Sequence, residues 1–300
     1  KGVLVTHFSV VHFIQRNVDE LEMSSADAVS QYFSSAFDAF AGEVWPALTS
    51  GARLVIVPEE VRLDAMKLSA LIKEQGISIV DVPVPLFHPL IAAGDLSTLR
   101  ILKTGGDKLV NIPDLPEGVA VFNTYGPTET TIESATLLLD SAGIRHFSEG
   151  VSLIGRPYAN EHIYILDGER NPVPVGIPGE LCIGGTGLAR GYLNRPDLTA
   201  QQFIANPFSS EAGARMYQTG DLCRWLADGT IEYLGRIDHQ VNLLQTILNY
   251  TEHGEYDGKI LGLSCSLDRY TQVLARDPWI NDEPVCINRI IYVFILYYFR

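Results

Sequence analysis

Positive charge is scarce in this sequence, with 22 lysines and arginines against 36 aspartates and glutamates in 300 residues. The formal net charge is −14, and a surface of that sign repels phosphate backbones and anionic lipid headgroups. We therefore expect no nucleic-acid partner and no membrane partner. A nucleotide, if one binds, would have to be held by a local site.

Cysteine is scarce as well. Cys182, Cys223, Cys265 and Cys286 are far apart and show no paired spacing, which argues against a zinc site and against a disulfide framework. We expect free thiols in a reducing cytosol, and hence a cytoplasmic protein.

Long apolar runs and a leader are also missing. The closing run at 290–299 is apolar, but as a helix it would span about 15 Å against roughly 30 Å of hydrocarbon. The opening residues 1–5 contain no signal-peptide core and read as the middle of a fold. These patterns argue against a membrane-spanning or secreted chain.

The stretch from Gly51 to Gly126 alternates between strand-like and helix-like apolar patterns. The predicted elements are strands at 53–57 and 77–82, a helix ending at Gly76, a helix at 86–93, and strands ending at 106 and 126. Such alternation predicts an α/β fold, with a mainly parallel sheet and flanking helices.

Polar and glycine residues fall at the carboxyl ends of these predicted strands, where parallel sheets bind ligands. They are Asp81, Gly105, Gly106, Asn123 and Thr124. Because these residues all fall at the same edge of the predicted sheet, they predict a single ligand pocket there.

After about residue 150 the pattern changes to short strands separated by turns, which predicts a smaller β-rich subdomain. The Asp228-Gly229 turn should fold 223–226 against 230–234, bringing Asp221 close to Tyr233 and Arg236. We predict an α/β part at 1–150, a β-rich part at 151–241 that completes the pocket, and an unassigned segment at 242–300 without recognisable periodicity.

The segment 123–131 (NTYGPTETT) places an aromatic ring, a Gly-Pro turn, hydroxyls and a carboxylate directly after a predicted strand. Tyr125 can cover a flat base, Thr128 can donate to a phosphate, and Glu129 can hold Mg²⁺. The alternative is a Gly-Pro loop with a solvated glutamate.

This segment resembles the NxYGPTE motif of the adenylate-forming superfamily, in particular the adenylation domains of nonribosomal peptide synthetases. Residues 179–185 and 187–199 (GELCIGG, GLARGYLNRPDLT) are similar to the family's GELxIxGxGxARGYxxxPxxT segment, which we interpret mainly as scaffold under the pocket. Residues 217–222 (YQTGDL) resemble its Y(R/K)TGDL motif. The resemblance implies a partial adenylate-forming enzyme fold.

The resemblance also implies roles for single residues. Asp221 would accept both ribose hydroxyls, since a carboxylate is a natural acceptor for a diol. Tyr233 would be a second ribose contact, Arg236 would meet ribose and phosphate, and Asp238 would be the hinge of a C-terminal lid. The implied nucleotide contacts are Asn123, Tyr125, Asp221, Tyr233 and Arg236, and the implied catalytic residues are Thr128, Glu129 and Arg236, with Glu129 also the metal ligand.

Residues 37–39 and 43–48 (FDA, EVWPAL) resemble the family segment whose aspartate neutralises the α-ammonium of the substrate. A buried ammonium needs a partner charge. The alternative for Asp38 is a helix N-cap.

The substrate pocket implied by the family comprises Asp38, Ala39, Gly42, Asp81, Lys103, Gly105, Thr124, Ile132 and Glu133. Asp81 and Glu133 would suit a basic side chain such as that of ornithine or lysine. Lys103 opposes this interpretation unless it pairs with one of them.

The resemblance runs from Lys1 to about Val241. Of the phosphate-loop region only residues 1–3 match, the family's lysine after GRxDxQV is replaced by Asn242, and the late catalytic lysine has no counterpart. We therefore expect a chain that is truncated at its N-terminus and divergent after Val241, with weak or no turnover.

The function that the resemblance implies is ATP- and Mg²⁺-dependent activation of an amino acid as its aminoacyl-adenylate. The acyl group would pass to the phosphopantetheine of a carrier (thiolation) domain, with a condensation domain as neighbour. The alternatives are an acyl-CoA or aryl-acid ligase of the same superfamily, which Asp38 opposes, an inactive remnant, and a docking or structural module.

Overall fold

The structure is a computed structural model that describes residues 2–112, 114–139 and 150–237. Asp238, Asn242 and the rest of the unassigned segment 242–300, with Cys265 and Cys286, lie outside the described residues. Across the described ranges, none of the helices combines the length and the apolar character needed to cross a bilayer.

The chain alternates between helices and strands up to Tyr125 and is mostly strand after it. The helices are α1 (His7–Glu20), α2 (Ala39–Ser50), α3 (Glu59–Arg62), α4 (Ala65–Gln75), α5 (Val84–Ala92) and α6 (Pro196–Gln202), and a 3-10 turn covers Thr128–Thr130. The strands are β1 (Ala28–Gln31), β2 (Arg53–Ile56), β3 (Ile79–Pro83), β4 (Ile101–Gly105), β5 (Ala120–Tyr125), β6 (Ala135–Leu138), β7 (Ser152–Pro157), β8 (Glu161–Leu166), β9 (Gly179–Gly185), β10 (Phe203–Ala205), β11 (Arg215–Trp225) and β12 (Ile231–Arg236).

The strands form a mixed sheet in the order β2-β1-β3-β4-β5-β6-β7-β12-β11-β9-β8, with β10 beside β11. Strands β1 to β5 pair in parallel, and the pairs from β5/β6 onward are antiparallel. The predicted α/β fold with a β-rich continuation is confirmed. Because β6 and β7 join the two parts in one sheet, the boundary near residue 150 stays a prediction.

Helix α4 shows why the sequence forms these elements where it does. Asp64 caps its start by accepting the backbone N–H of Lys67 at 3.1 Å, and Gly76 ends it with φ 57°. Leu68 and Ile72 on its inner face are fully buried. The predicted helix and its glycine stop are confirmed.

The parallel strands are covered on both faces, and their alternating side chains decide which layer each residue joins. Residues packed with α4 and α5 include Val80, Val82, Leu102, Val121, Leu68 and Phe87. Residues packed on the side of α1 and α2 include Val29, Ile79, Ile101, Leu21 and Ala47. This second face is apolar at its amino end and becomes polar at Asp81 and Lys103, which are paired neighbours across β3 and β4. The polar end is where the candidate site lies.

A partly exposed ion pair joins Asp27 and Arg100, the residues that directly precede β1 and β4. Arg100 Nε lies 2.7 Å from Asp27 Oδ1 and its Nη2 lies 2.9 Å from Oδ2. Burial alone would raise the pKa of Asp27, but hydrogen bonds from Arg100, Ser24 and Ser78 hold that pKa at about 2, against an ordinary value of 3.8. Asp27 therefore stabilises the fold above about pH 4.

We expect Asp27→Asn to lower the free energy of unfolding at pH 7 by about 1 kcal/mol, because Arg100 is partly exposed and solvent screens the pair. Because the folded-state pKa is depressed, the difference from the unsubstituted chain should shrink as the pH falls from about 4 to about 2. Urea unfolding followed by circular dichroism over this range measures it. Asp95→Asn, which breaks the exposed Asp95–Lys73 pair, is the matched control and should change little. An Asp27→Asn penalty that is constant with pH would contradict the assignment.

Candidate active site

Strands β11 and β12 form the predicted hairpin around Asp228 and Gly229. The backbone N–H of Leu226 donates to Thr230 O at 2.8 Å, and Gly229 takes φ 83°, which the turn requires. The register sets Asp221 opposite Arg236. The predicted approach of these two side chains is confirmed.

Asp221 is the centre of a polar cluster. Its carboxylate accepts hydrogen bonds from Tyr125 Oη at 2.5 Å, Arg236 Nη1 at 3.1 Å and Tyr233 Oη at 3.5 Å. Arg236 Nη1 also donates to Thr219 O at 2.8 Å. Four of the five predicted nucleotide residues thus meet around one buried carboxylate.

Burial and the neighbouring Asp221 carboxylate raise the pKa of Tyr125 well above its ordinary value, so the phenol remains a hydrogen-bond donor. The rings of Tyr125 and Tyr233 lie with centroids 6.4 Å apart. A cleft of about 470 Å³ is lined in part by Thr219, Gly220 and Arg236, whereas Asp221, Tyr125 and Tyr233 do not line it. This size is in the range of small-molecule pockets, and Arg236 supplies a cation at its wall.

Asn123, the fifth predicted nucleotide residue, is only 2% exposed. Its Nδ2 donates to Leu153 O at 2.6 Å, so the side chain links β5 to β7. A nucleotide contact by Asn123 stays a prediction.

Glu129 lies in the 3-10 turn after β5 and is 7% exposed. Its Oε1 accepts a hydrogen bond from Tyr192 Oη at 2.5 Å, and its carbonyl accepts the backbone N–H of Ala189 at 2.9 Å. Thr131 Oγ1 donates to Gly187 O at 2.6 Å. Residues 187–189, which belong to the segment 187–199 interpreted as scaffold, therefore pack directly against this turn. The packing agrees with that interpretation.

The suitability of Glu129 for Mg²⁺ follows from its surroundings. In the described part of the chain, no three acidic, histidine or cysteine side chains are grouped as a metal site. Mg²⁺ commonly takes one or two carboxylates and completes its shell with substrate phosphates and water. A single buried carboxylate such as that of Glu129 fits that pattern, and its role as the Mg²⁺ ligand stays a prediction.

The backbone between Gly126 and Glu133 turns back sharply. A Cβ on Gly126 would lie 2.5 Å from Glu133 Cα and 2.6 Å from Ile132 O, so only glycine fits. Thr131 and Ile132 adopt φ of 62° and 73°, which is costly for β-branched residues. The turn brings Glu133 next to Lys103.

Asp38 precedes α2 at the N-cap position, but within the described residues its side chain makes no capping hydrogen bond. Burial and the nearby Glu129 raise the pKa of Asp38, while the neighbouring Thr128 hydroxyl and the backbone N–H of Ala39 act against that shift. A cation bound beside Asp38 would lower the pKa again. The substrate role of Asp38 and the alternative of a helix N-cap both stay predictions.

Lys103 is paired with both predicted acidic residues of the pocket. Its Nζ lies 2.5 Å from Glu133 Oε1 and 3.8 Å from Asp81 Oδ2. The side chains of Lys103 and Glu133 are 6% and 5% exposed, and that of Asp81 is 18% exposed. Asp81 is the most accessible of the three charges.

A second cation, Arg16 of α1, also faces Glu133. Arg16 Nη2 lies 3.6 Å from Glu133 Oε2, and its guanidinium carbon lies 3.4 Å from the centroid of the Tyr158 ring. Asn17 Nδ2 and Tyr158 Oη donate to the same carboxylate at 3.2 and 3.3 Å. Burial opposes ionisation of Glu133, but Lys103 and Arg16 lower its pKa overall.

The remaining predicted pocket residues lie at the edges of this cluster. Ala39 and Gly42 belong to the first turn of α2, where a Cβ on Gly42 would lie 3.4 Å from Ile132 Cγ2. Gly105 pairs with Thr124 across β4 and β5, and a Cβ on Gly105 would lie 2.8 Å from Thr124 Oγ1.

Four side chains in these contacts were not predicted from the sequence as site residues: Arg16, Asn17, Tyr158 and Tyr192. Tyr192 lies in the segment interpreted as scaffold, and its contact with Glu129 spans 63 positions in the chain. Arg16 and Tyr158 lie outside every motif. Only long-range packing brings them to the site.

Comparison with known proteins supports the resemblance. A sequence model described as AMP-binding enzyme matches residues 1–193. The chain is 42% identical over 254 residues to tyrocidine synthase 3 of Brevibacillus parabrevis, covering 81% of this chain and 4% of that protein. It is 40% identical over 269 residues to surfactin synthase subunit 2 of Bacillus subtilis (strain 168), covering 84% of this chain and 7% of that protein.

Among solved structures, the fold is similar to that of the nonribosomal peptide synthetase FmoA3, with a TM-score of 0.70 and 31% identity over 78% of this chain and 26% of that chain. This chain therefore spans only a small part of the proteins it matches. The motifs, the sheet and these similarities agree. The chain belongs to the AMP-binding enzyme family, the adenylate-forming ligases.

Proposed function

We propose that this chain activates an amino acid with ATP. A carboxylate oxygen of the amino acid attacks the α-phosphorus, the bond from that phosphorus to the bridging oxygen breaks, and pyrophosphate leaves with the electron pair. The observation that carries the proposal is the hydrogen bond from Tyr125, in the segment 125–129, to the Asp221 cluster, with Thr128 of the same segment close to the half-buried Asp38. The residues predicted for the nucleotide and for the α-ammonium therefore lie near one short segment, which supports the proposal.

In this proposal the chain works by positioning two anions, because no protein nucleophile is required. Asp221 and Tyr233 hold the ribose, Tyr125 lies against the base, and Arg236 and Thr128 offset phosphate charge. Asp38 pairs with the α-ammonium of the amino acid. Mg²⁺, held by Glu129, supplies further neutralisation of the phosphates when bound.

We also propose the wider setting that the resemblance implies. The acyl group passes to the phosphopantetheine thiol of a carrier domain, a condensation domain is a neighbour, and the protein is cytoplasmic. The similarity to the nonribosomal peptide synthetase FmoA3, together with the similarity to tyrocidine synthase 3 and surfactin synthase subunit 2, supports this setting. Reduced turnover by this chain stays a prediction.

The test is ATP–pyrophosphate exchange, screened over the common amino acids and ornithine on the full chain shown to be folded by circular dichroism. We expect exchange with one amino acid or a small set. Since turnover is expected to be low, calorimetric titration with ATP and with amino acids runs in parallel. Adenylate formation that is independent of amino acids would favour an acyl or aryl-acid ligase, and a folded chain with neither binding nor exchange would favour an inactive remnant.

A further inference from the structure

The buried charges around Lys103 balance one another without a substrate. Two carboxylates, Asp81 and Glu133, face two cations, Lys103 and Arg16, at the distances given above. The same carboxylates, taken from the sequence alone, suit a basic side chain. In the folded chain the ammonium group of Lys103 lies between these two carboxylates, where the basic side chain of a substrate would otherwise bind.

Two further carboxyl groups lie near this cluster. Glu43 accepts backbone N–H bonds from Tyr32 and Phe33 at 2.9 to 3.0 Å, and burial raises its pKa to about 8, which favours the neutral form. Glu20, at the end of α1, is exposed; burial raises its pKa, and Arg16 and Lys103 act against that shift, so its charge adds to the acidic side of the cluster but is partly screened by solvent.

Asp81 is the charge that remains accessible. It lies 3.8 Å from Lys103, beyond hydrogen-bond distance, whereas Glu133 is hydrogen-bonded by Lys103, Asn17 and Tyr158. Asp81 can therefore accept a hydrogen bond from a ligand while Lys103 offsets its charge. A cationic ligand would meet repulsion from Lys103 and Arg16, and an anionic ligand would meet Asp81.

We infer that the pocket selects an amino acid with an uncharged side chain that donates a hydrogen bond, such as a carboxamide or a hydroxyl, and that Lys103 excludes basic side chains. This inference rests on the proposed function, because it takes the cluster as the wall of the amino-acid site. Lys103 acts as a specificity-determining residue, and Arg16 is a positioning residue that acts through Glu133.

The test compares side chains of equal length and different charge: glutamine, glutamate and ornithine, then asparagine, aspartate and 2,4-diaminobutyrate. Serine, threonine and leucine complete the set. Calorimetric binding is measured on the full chain, with pyrophosphate exchange in parallel. We expect the uncharged polar member to bind at least about tenfold more tightly than both charged members of its set, a difference of about 1.4 kcal/mol. Preference for a charged or an aliphatic side chain would overturn the inference.

Two variants test whether the preference depends on the charge of Lys103 or on the shape of its side chain. Lys103→Met leaves two carboxylates against one arginine, so binding should shift toward ornithine or diaminobutyrate by at least about tenfold relative to the uncharged member. Lys103→Met combined with Glu133→Gln leaves one carboxylate and one arginine, and should restore the preference for the uncharged side chain. Lys73→Met, on the exposed face of α4, is the control and should change nothing.

The outcomes distinguish this inference from the proposed function. Binding of an uncharged amino acid whose preference Lys103→Met leaves unchanged would overturn the role of Lys103 and leave amino-acid activation standing. If Lys103→Met does not fold, the profile of the unsubstituted chain and of the double variant still decides. Absence of binding and exchange with every amino acid, in folded protein, would contradict the proposed function and this inference together.

Discussion

Replacing Asp38 by alanine is expected to lower amino-acid-dependent ATP–pyrophosphate exchange by about 100-fold or more. The α-ammonium of the amino acid would then be buried without a partner charge, and an unpaired buried charge costs about 3 to 5 kcal/mol. The loss should appear in amino-acid binding measured by calorimetry, with ATP binding nearly unchanged. This pattern is expected because Asp221, which binds the nucleotide in our proposal, lies on β11, whereas Asp38 directly precedes α2.

Asp38→Asn makes the Asp38 test sharper. Asparagine keeps an acceptor for the Thr128 hydroxyl, so a role limited to holding Thr128 would survive this change, whereas an ionic role would not. Asp64→Ala is the matched control because Asp64 also precedes a helix and caps it. It should cost about 1 kcal/mol of stability and leave exchange intact. If Asp38→Asn catalyses exchange at the level of the unsubstituted chain, Asp38 has no ionic role in amino-acid binding.

The second large effect concerns Asp221. Asp221→Asn is expected to weaken ATP binding by about 10- to 100-fold, because a hydrogen bond to a charged acceptor contributes about 1.5 to 3 kcal/mol. The same substitution leaves Arg236 without its ionic partner at 3.1 Å, so the free energy of unfolding should fall as well. Calorimetric titration with Mg·ATP and urea unfolding measure the two effects separately.

Asp167→Asn, in an exposed turn of the same half of the chain, is the control for Asp221. It should leave ATP binding unchanged. Unchanged ATP affinity in folded Asp221→Asn would remove Asp221 from the nucleotide site, and would also separate the Asp221 cluster from the proposed reaction.

Local patterns in the sequence predicted much of this fold. The periodicity and the glycine stop of α4 are properties of adjacent residues, because helix caps and apolar faces depend on neighbours within one or two turns. The Asp228-Gly229 turn is a local signal too, and it sets the hairpin register as far as Cys223 opposite Tyr233. The turn therefore predicts that Asp221 lies near Tyr233 and Arg236, but the pairing of Asp221 with Arg236 also needs a one-residue register shift between Leu222 and Cys223, which the sequence did not indicate.

Other predictions could not be completed from the sequence. Whether Lys103 opposes or neutralises the acidic residues depends on β3, β4 and the turn at 131–133 meeting at one place. Asp38 could be a helix cap or a ligand for an ammonium, and the sequence could not show that its carboxyl lies near Thr128 and Glu129. In both cases the chemistry of the side chain was evident, but its partner was not.

The sequence by itself determined the family, the order of the strands and helices, and the types of residue available for a nucleotide and an amino acid. These depend on short-range patterns and on motifs of fixed spacing. The tertiary structure alone decided the partners: Arg16 and Tyr158 beside Glu133, Tyr192 on Glu129, and Lys103 between two carboxylates. Ionisation and charge balance depend on distances and burial across contacts that are remote in sequence, so the electrostatic character of the pocket emerges only when the sheet and its helices have assembled.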